Sequence, residues 1–190
     1  SSSPRTTPPG RGNDIRAGMI LVVHAHPYPQ HSRAGKALLA AVRGLPDVAV
    51  RDLYELYPDF YVDVAAEQAA LAAAKTIVWQ HPLYWYTAPA LLKLWFEKVL
   101  SRGWAYGGGR ALVGKRCLWV TTTGADADSY TPEGAHGHPF GDFVPVVQQT
   151  ARFCGMTWEP PLVVHHAHHL GPEALDAAAA DYRARVEALG

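Results

Sequence analysis

Hydrophobic and polar positions alternate along the chain between short apolar runs and longer segments with a helical period. Five apolar runs have the length and composition of strands: residues 19–23, 48–53, 76–80, 116–122 and 158–164. Segments with helical spacing separate or follow them, over residues 32–43, 64–75, 89–100, 143–153 and 172–189. Strands that alternate with such helices form βαβ units, because parallel neighbours need crossover connections. The pattern predicts an α/β fold with a doubly wound, five-stranded parallel sheet and helices on both faces.

The first 18 residues differ in composition from the rest of the chain. They are rich in Ser, Pro, Arg and Gly and end just before the apolar run that starts at Met19. A segment of this kind buries too little apolar surface to become ordered. We expect a disordered tail over residues 1–18 and a single domain over residues 19–190, because 190 residues, 48% of them hydrophobic, suffice for one core.

Charge and cysteine content narrow the functional class. The 17 basic and 17 acidic residues cancel, which argues against a nucleic-acid binder and against the acidic surface of a docking electron carrier. The two cysteines, Cys117 and Cys154, lack CxxC spacing, as is typical of free thiols in a reducing compartment. No run reaches the roughly 18 apolar residues of a membrane span, and the start lacks the apolar centre of a signal peptide. We expect a cytoplasmic protein that acts on small molecules.

Three predicted strands are followed by loops with polar and aromatic residues, and in a parallel sheet such loops meet at the edge where ligands bind. The first loop, residues 24–32, leads from His26 to Ser32 at the start of a helix. Backbone N–H groups and the helix dipole there favour an anion such as a phosphate. Taken alone, Ser32 and His26 are better explained as a helix cap and a loop histidine. The other two loops reverse that preference.

The second loop, residues 81–86, carries three consecutive aromatic residues, Tyr84, Trp85 and Tyr86. Their side chains point in diverging directions, so at least one should face a ligand rather than the core. A planar ring would accept stacking from Trp85. The alternative is a bulky plug beneath the following helix.

The third loop, residues 122–137, follows a strand with Thr123 and Gly124 and continues through Tyr130 and His136. A long, glycine-punctuated loop of this kind can close over a cofactor, although spacing alone makes Tyr130 and His136 ordinary loop residues. The chain has no GxGxxG after its first strand and no GxxxxGK[ST], so the dinucleotide-binding and P-loop interpretations lose their main support. Together the three loops predict a flavin site.

These segments resemble the flavodoxin-like NAD(P)H:quinone oxidoreductases, and most closely the small ancillary flavoproteins of glutathione-gated potassium efflux systems. The resemblance spans about residues 19–189 and rests on stretches such as ILVVHAHPYPQHS, IVWQHPLYWYTAPALLKLWFEKVLSRGWAYG and LWVTTTG. It implies a bound flavin, FMN with FAD as the alternative. It also implies a ping-pong reaction, in which NADH or NADPH gives a hydride to the flavin and a quinone or other electrophile then takes two electrons.

The resemblance also implies roles for individual residues. The flavin phosphate and ribityl chain would be bound by His26, Ser32, Arg33, Ala34 and Gly35. The isoalloxazine would be held by Pro82, Leu83, Tyr84, Trp85 and Tyr86, and its pyrimidine side by Thr123, Gly124, Ala125 and Asp126. Tyr130 and His136 match the pair that stabilises charge on the flavin during hydride transfer. Tyr106 could line the acceptor pocket or equally anchor a turn.

One departure concerns the third loop, where the family usually continues Thr-Gly-Gly and this chain has Ala125 and Asp126 after Gly124. Alanine resists a positive φ, and Asp126 would bring a carboxylate near the flavin. The departure bears on the geometry of the loop and on the flavin potential.

Partners follow from an apolar helix and from the resemblance. The segment 89–100 carries more apolar positions than one core-facing stripe needs, which predicts a homodimer. The resemblance implies that dimerisation completes each active site. It also implies a potassium efflux membrane protein as a partner, which would make the protein peripheral at the inner face of the membrane. Three functions stay open: a reductase, a regulatory efflux subunit and a one-electron carrier. Neutral charge and the Tyr130/His136 pair disfavour the carrier.

The histidines at 165, 166, 168 and 169 suggest a metal site at first sight. No matching Cys or carboxylate cluster accompanies them, and adjacent histidines in an extended run point to opposite faces. We expect a loop with incidental metal affinity and no functional metal.

Overall fold

Helices and strands alternate along residues 15–190, which are the residues described by this computed structural model. The strands are β1 (Ile20–His24), β2 (Val48–Asp52), β3 (Thr76–Pro82), β4 (Arg116–Thr122), β5 (Thr157–Trp158) and β6 (Leu162–Val164). The helices are α1 (Arg33–Arg43), α2 (Leu53–Leu56), α3 (Val64–Ala73), α4 (Ala90–Val99), α5 (Val144–Phe153) and α6 (Pro172–Ala188). Single 3₁₀ turns lie at Pro29–His31 and Phe140–Asp142. The α2 helix and both turns were not predicted.

All strand pairs are parallel, and the sheet has the order β2-β1-β3-β4-β5, with β6 also paired to β4. Val22 of β1 is level with Val50 of β2 and Val78 of β3. The chain thus proceeds from β1 to one side of the sheet and from β3 to the other. This confirms the predicted doubly wound α/β fold and places the loops after β1, β3 and β4 next to one another.

The last predicted strand, residues 158–164, is wrong in one respect. It is divided into β5, level with Arg116 and Cys117, and β6, level with Val120 to Thr122. Pro160 and Pro161 lie between the two segments and have no N–H to donate to β4. The interruption is therefore a local consequence of the two prolines.

Two predicted helix caps are confirmed. The Ser32 hydroxyl accepts a hydrogen bond from the Gly35 N–H at 3.1 Å, and the Asp63 carboxylate accepts one from the Ala66 N–H at 3.0 Å. A Cβ atom at position 35 would lie 2.3 Å from the Ser32 Oγ. Glycine at this position is therefore part of the cap that fixes the start of α1.

Two apolar clusters, one on each face of the sheet, form the core. One face packs against α3, α4 and α5 and contains the fully buried Trp79, Trp95 and Trp119; the other packs against α1 and α6. Glu67 of α3 is fully buried and ion-paired with Arg51. Its carboxylate also accepts hydrogen bonds from the Tyr57 hydroxyl at 2.6 Å and the Trp95 indole at 3.0 Å. This network ties β2, α3 and α4 into one frame behind the loops.

A second polar link crosses the sheet to the start of α1. The Gln80 amide of β3 donates to the Gly35 carbonyl at 3.2 Å and accepts from the Tyr182 hydroxyl of α6 at 3.0 Å. All three groups are buried, so their hydrogen bonds are not exposed to competing water. The N-terminal turn of α1 is therefore held by residues distant in sequence.

The expected tail lies mostly outside the described residues, which begin at residue 15. Of the last residues of that segment, Ile15 packs against the core and the Gly18 N–H donates to the Ala73 carbonyl at 3.0 Å. Cys117 and Cys154 are free and buried, and burial raises the pKa of both thiols. Across the described part of the chain, none of the helices combines the length and apolarity needed to span a membrane.

Candidate functional site

A cavity of about 320 Å³ opens at the carboxyl ends of β1, β3 and β4, where the three loops meet. We call it the loop cavity. Nine of its lining residues were predicted as site residues: His26, Ser32, Arg33, Ala34, Pro82, Leu83, Tyr84, Thr123 and Gly124. The structure therefore brings parts of all three predicted loops to one place.

Sequence reasoning missed five residues that line the loop cavity: Tyr28, His31, Thr122, Ala167 and His168. Tyr28 and His31 lie in the first loop, between residues that were predicted. Ala167 and His168 follow β6, which also ends at this edge of the sheet. The rule that ligands bind beyond the carboxyl ends of parallel strands was a signal for this fourth segment.

Five residues predicted to bind the cofactor lie outside the lining of the loop cavity: Gly35, Trp85, Tyr86, Ala125 and Asp126. Gly35 is buried in α1, and Trp85 is 89% exposed. The Ala125 carbonyl accepts hydrogen bonds from the Thr123 hydroxyl and the His166 N–H. The Asp126 carboxylate accepts two hydrogen bonds from Ser129, which lower the pKa of that carboxyl. Its charge is thus engaged within its own loop.

Free backbone donors lie at the cavity and directly beside it. The N–H groups of Arg33 and Ala34, at the start of α1, have no acceptor among the described residues. In the third loop the same holds for Gly124, Ala125 and Asp126. Consecutive unpaired N–H groups at a helix start and in a loop suit an anion and the carbonyl acceptors of a ring.

His26 presents a neutral ring to the first loop. The Tyr28 N–H donates to His26 Nδ1 at 3.1 Å, which leaves the proton of the neutral ring on Nε2. Burial, and then the neighbouring His24 and His168, lower the pKa of His26 to about 4. His26 is therefore a hydrogen-bond donor near the α1 N-terminus without being charged at neutral pH.

Tyr130 and His136 form a stacked pair, with ring centroids 4.3 Å apart and an interplanar angle of 23°. His136 Nδ1 lies 3.2 Å from the Tyr86 hydroxyl, which connects the pair to the second loop. His136 Nε2 is buried and has no hydrogen-bond partner among the described residues. Tyr130 is 7% exposed, and burial raises the pKa of its hydroxyl. The pair lies beside the loop cavity without lining it.

The second loop contains two residues in the left-handed region, Trp85 at φ 48° and Tyr86 at φ 63°. For residues other than glycine this conformation costs about 1–2 kcal/mol each. A hydrogen bond from the Thr87 N–H to the Tyr84 carbonyl and the stacking of Tyr86 on Phe143 hold the turn. Such strain is typical of ligand-contacting segments. Ala125, by contrast, has no positive φ, so the departure at that position needs no strained backbone.

Tyr106, predicted to line the acceptor pocket or to anchor a turn, does not line the loop cavity. It lies in a separate groove between α4 and α5, here called the α4–α5 groove, with its ring 5.1 Å from that of Phe153. Its carbonyl accepts hydrogen bonds from the Gly103 and Gly109 N–H groups. Its backbone therefore holds the turn that follows α4, and its role at an acceptor pocket stays a prediction.

The four histidines near β6 face different surroundings. His165 Nδ1 lies 2.9 Å from the Thr123 hydroxyl, His168 lines the loop cavity, and His166 packs against His169. Within residues 15–190 no group of three or more His, Cys, Asp or Glu side chains is arranged to hold a metal ion.

The sheet order and a cavity at the topological switch point define a doubly wound α/β protein with a cavity at the carboxyl edge, where ligands bind in this class of fold. The chain belongs to the flavodoxin-like fold family, whose model matches residues 19–189.

Among its relatives is the ancillary protein KefF of the glutathione-regulated potassium-efflux system of Klebsiella aerogenes, which is 50% identical over 169 residues, covering 88% of this chain and 94% of the relative. General stress protein 14 of Treponema denticola, solved in complex with FMN, is 36% identical with a TM-score of 0.83 and covers 90% of this chain and 99% of its own. An NADPH-quinone reductase from P. pentosaceus is 28% identical with a TM-score of 0.81, and the match covers 88% of this chain and 97% of that protein.

Proposed function

We propose that this protein is an NAD(P)H:quinone oxidoreductase that binds a flavin in the loop cavity. The observation that carries the proposal is the convergence, at one edge of the sheet, of free N–H donors at the α1 N-terminus and in the third loop with the stacked Tyr130/His136 pair. Similarity to an FMN complex and to an NADPH-quinone reductase supports the same function. FMN is the expected flavin and FAD the alternative.

The first loop fits a phosphate. The Arg33 and Ala34 N–H groups and the neutral His26 Nε2–H would donate to its oxygens, and the α1 dipole would stabilise its charge. Ser32 Oγ already accepts from the Gly35 N–H, so its own proton is free to donate. When bound, the flavin supplies the two-electron hydride chemistry, and the protein supplies orientation and electrostatics.

The Tyr130/His136 pair is proposed to act where negative charge develops during reduction. Tyr86 fixes one ring nitrogen of His136, and the buried second nitrogen has no protein partner, so a proton held there would serve a bound acceptor. Tyr130, stacked on this ring, would hold its proton at the hydroxyl, since burial raises its pKa. Preorganised donors of this kind stabilise developing charge without reorganisation. NADH or NADPH, the hydride donor, leaves before the quinone or other electrophile occupies the same position at the flavin.

The direct test is the absorption spectrum of the purified protein, followed by anaerobic mixing with NADH or NADPH and then with a quinone. We expect flavin bands that bleach with the reduced nucleotide and return with the quinone. A colourless protein that takes up neither FMN nor FAD on titration would refute the proposal. Chromatography of the released chromophore distinguishes FMN from FAD. The values of kcat/KM for NADH and NADPH show which hydride donor the protein prefers.

We also propose a homodimer. Most apolar side chains of α4 are covered within the chain, but the α4–α5 groove exposes Val146 (56%) and Phe153 (63%) beside Tyr106. A second copy covering this groove would bury them, and the resemblance implies that the partner copy then completes each active site. Light scattering at micromolar concentration should give a dimer mass, and Phe153→Asp a monomer. A wild-type monomer would overturn this part.

A second function is favoured by the relative at 50% identity, which is an ancillary protein of a potassium-efflux system. We propose that this chain also binds and activates such a membrane protein from the cytoplasmic side. Co-expression with a cognate efflux protein should increase electrophile-triggered potassium loss. If binding alone activates the efflux protein, a His136→Gln variant that reduces quinone slowly should still increase potassium loss. Unchanged efflux would leave only the reductase.

A further inference from the structure

The proposed reaction takes one proton from water in each turnover. A quinone that becomes a hydroquinone gains two electrons and two protons, whereas the hydride of NADH or NADPH supplies two electrons and one proton. The second proton must reach a site where Tyr130 is 7% exposed and His136 Nε2 is buried. A proton donor enclosed in this way can act repeatedly only if a path from water restores its proton.

Thr123 and His165 lie beside the Tyr130/His136 pair. His165 directly follows β6, and its ring centroid is 5.3 Å from that of Tyr130 and 5.3 Å from that of Phe140. His165 Nδ1 is 2.9 Å from the hydroxyl of Thr123, which is 2% exposed. The side chain of His165 itself is only partly buried. His165 therefore connects a buried hydroxyl beside the pair to the surface.

The hydrogen bonds of Thr123 determine which nitrogen of His165 carries the proton. The Thr123 hydroxyl donates its single proton to the Ala125 carbonyl at 2.7 Å, so His165 Nδ1 is the donor in the 2.9 Å contact. In the neutral ring the other nitrogen, Nε2, is then an acceptor. Nε2 has no hydrogen-bond partner among residues 15–190 and is not enclosed, so it can take a proton from water.

The surroundings of His165 keep its ring neutral but allow transient protonation. Two titratable groups of the third loop, Asp126 and Tyr130, face this ring, and His166 follows it in sequence. Burial lowers the pKa of His165, and the Asp126 carboxylate opposes this shift. Burial raises the pKa of the Tyr130 hydroxyl, while the adjacent Thr123 hydroxyl lowers it. The imidazole is therefore neutral at neutral pH, and a nearby carboxylate stabilises a brief positive charge on it.

We propose that His165 and Thr123 form a proton relay that resupplies Tyr130 from water. The inference rests on the proposed function, because it concerns the second proton of quinone reduction. When Tyr130 has given its hydroxyl proton to the product, the Thr123 hydroxyl turns away from the Ala125 carbonyl and donates its proton to the phenolate. His165 Nδ1 then gives its proton to Thr123, and Nε2 takes one from water.

The relay is balanced in atoms and electrons. Each transfer breaks one O–H or N–H bond and forms another, so one proton enters per turnover and no electron moves through these residues. Exchange with water returns the ring to the Nδ1–H tautomer. His165 acts through Thr123 and Tyr130 rather than by contact with the flavin.

The first measurement uses the flavin-free protein and does not depend on turnover. Nitrogen NMR of the histidine rings in isotope-labelled protein, with the His165 signals assigned by their loss in His165→Asn, should show the Nδ1–H tautomer at neutral pH. The Nε2–H tautomer would overturn the relay, because the Thr123 hydroxyl would then donate to His165 and could not receive its proton.

The second measurement is stopped-flow oxidation of the prereduced holoprotein by a quinone. His165→Ala removes the relay, whereas His165→Asn keeps a donor to Thr123 but has no second nitrogen that takes up a proton. Both variants should be oxidised about 10-fold more slowly than wild type, less than the roughly 10²–10⁴-fold effect of a general acid, because Tyr130 remains. Flavin affinity and reduction by NADPH should be unchanged. Added imidazole should restore the rate of His165→Ala, because it supplies the missing ring.

The matched control is His169→Ala, since His169 lies on the same segment, is exposed and packs against His166. It should be oxidised at the wild-type rate. A wild-type rate in His165→Asn would show that His165 only holds Thr123 in place, and would overturn the relay. A slow His165→Ala that imidazole does not restore would also overturn it. In both cases, reduction of the wild-type protein by NADPH and its reoxidation by quinone would leave the proposed function standing.

Discussion

Replacing His136 tests whether its buried, unpartnered nitrogen acts on the flavin during reduction. In His136→Gln the side chain still reaches toward Tyr86, but the ring nitrogen at the Nε2 position and the stacking on Tyr130 are lost. Flavin contacts through the first loop are untouched. We expect the flavin to bind with nearly unchanged affinity and its reduction by NAD(P)H to slow.

The expected size follows from burial. Removing one preorganised donor from a water-excluded site costs about 10²–10³ in rate. His136 Nε2 is buried, whereas the neighbouring Tyr86 is 43% exposed, so the lower end, about 10²-fold, applies. Tyr130→Phe should have a similar effect. The double variant should lose less than the product of the two, because stacked rings are energetically coupled.

The assay is anaerobic stopped-flow reduction of the bound flavin, with flavin affinity measured separately by fluorescence titration. His138→Gln is the matched control, since His138 lies in the same region, is exposed and pairs only with Asp142 among the described residues. It should reduce at the wild-type rate. The reasoning would be refuted if His136→Gln binds flavin and reduces it at a rate within about twofold of wild type. It would also be refuted if the variant loses flavin affinity together with the reduction rate.

Three further predictions concern stability. Glu67→Gln leaves the Arg51 charge in a buried network without its counter-ion, and we expect a loss of about 3–5 kcal/mol in urea unfolding; a loss below 1 kcal/mol would contradict the network's role. Complete burial lowers the pKa of His81 to about 4 from 6.5. The unfolded chain therefore binds the extra proton between these values, and stability falls by up to roughly 3 kcal/mol as pH drops from 6.5 to 4. His81→Gln should flatten this dependence in thermal melts by comparison with wild type. Trp85→Gly relieves a left-handed conformation at an exposed site, so the flavin-free protein should gain about 1 kcal/mol, while flavin affinity falls if Trp85 stacks on the ring.

Local signals predicted most of the architecture. Ser32 and Asp63 were identified as caps from residue type and position, and both cap their helices because short oxygen side chains reach the free N–H groups of the first turn. The apolar run 116–122 coincides with β4. The division between β5 and β6 was missed because Pro160 and Pro161 stand within an otherwise strand-like run. A hydropathy pattern does not show that a proline lacks the N–H needed for strand pairing.

The site was predicted less completely, because its details depend on contacts between segments distant in sequence. The three loops were identified from strand ends, which is a local pattern. The entry of His168 into the loop cavity depends on the position of β6 beside β4. The outward position of Trp85 depends on a left-handed backbone that its residue type disfavours. Tyr106, in the turn after α4, packs against Phe153 of α5, a contact that no local pattern shows.

The link from Tyr182 through Gln80 to Gly35 has a consequence for biosynthesis. Tyr182 is 102 residues from Gln80 along the chain, and α6 is synthesised after all six strands of the sheet. Until residue 182 has left the ribosome, the side-chain oxygen of Gln80 lacks the Tyr182 hydroxyl that donates to it, although the Gln80 amide group is the one that holds the start of α1. The phosphate end of the proposed site is therefore completed after every strand of the sheet has been synthesised, and stable cofactor loading should wait until α6 has emerged and packed.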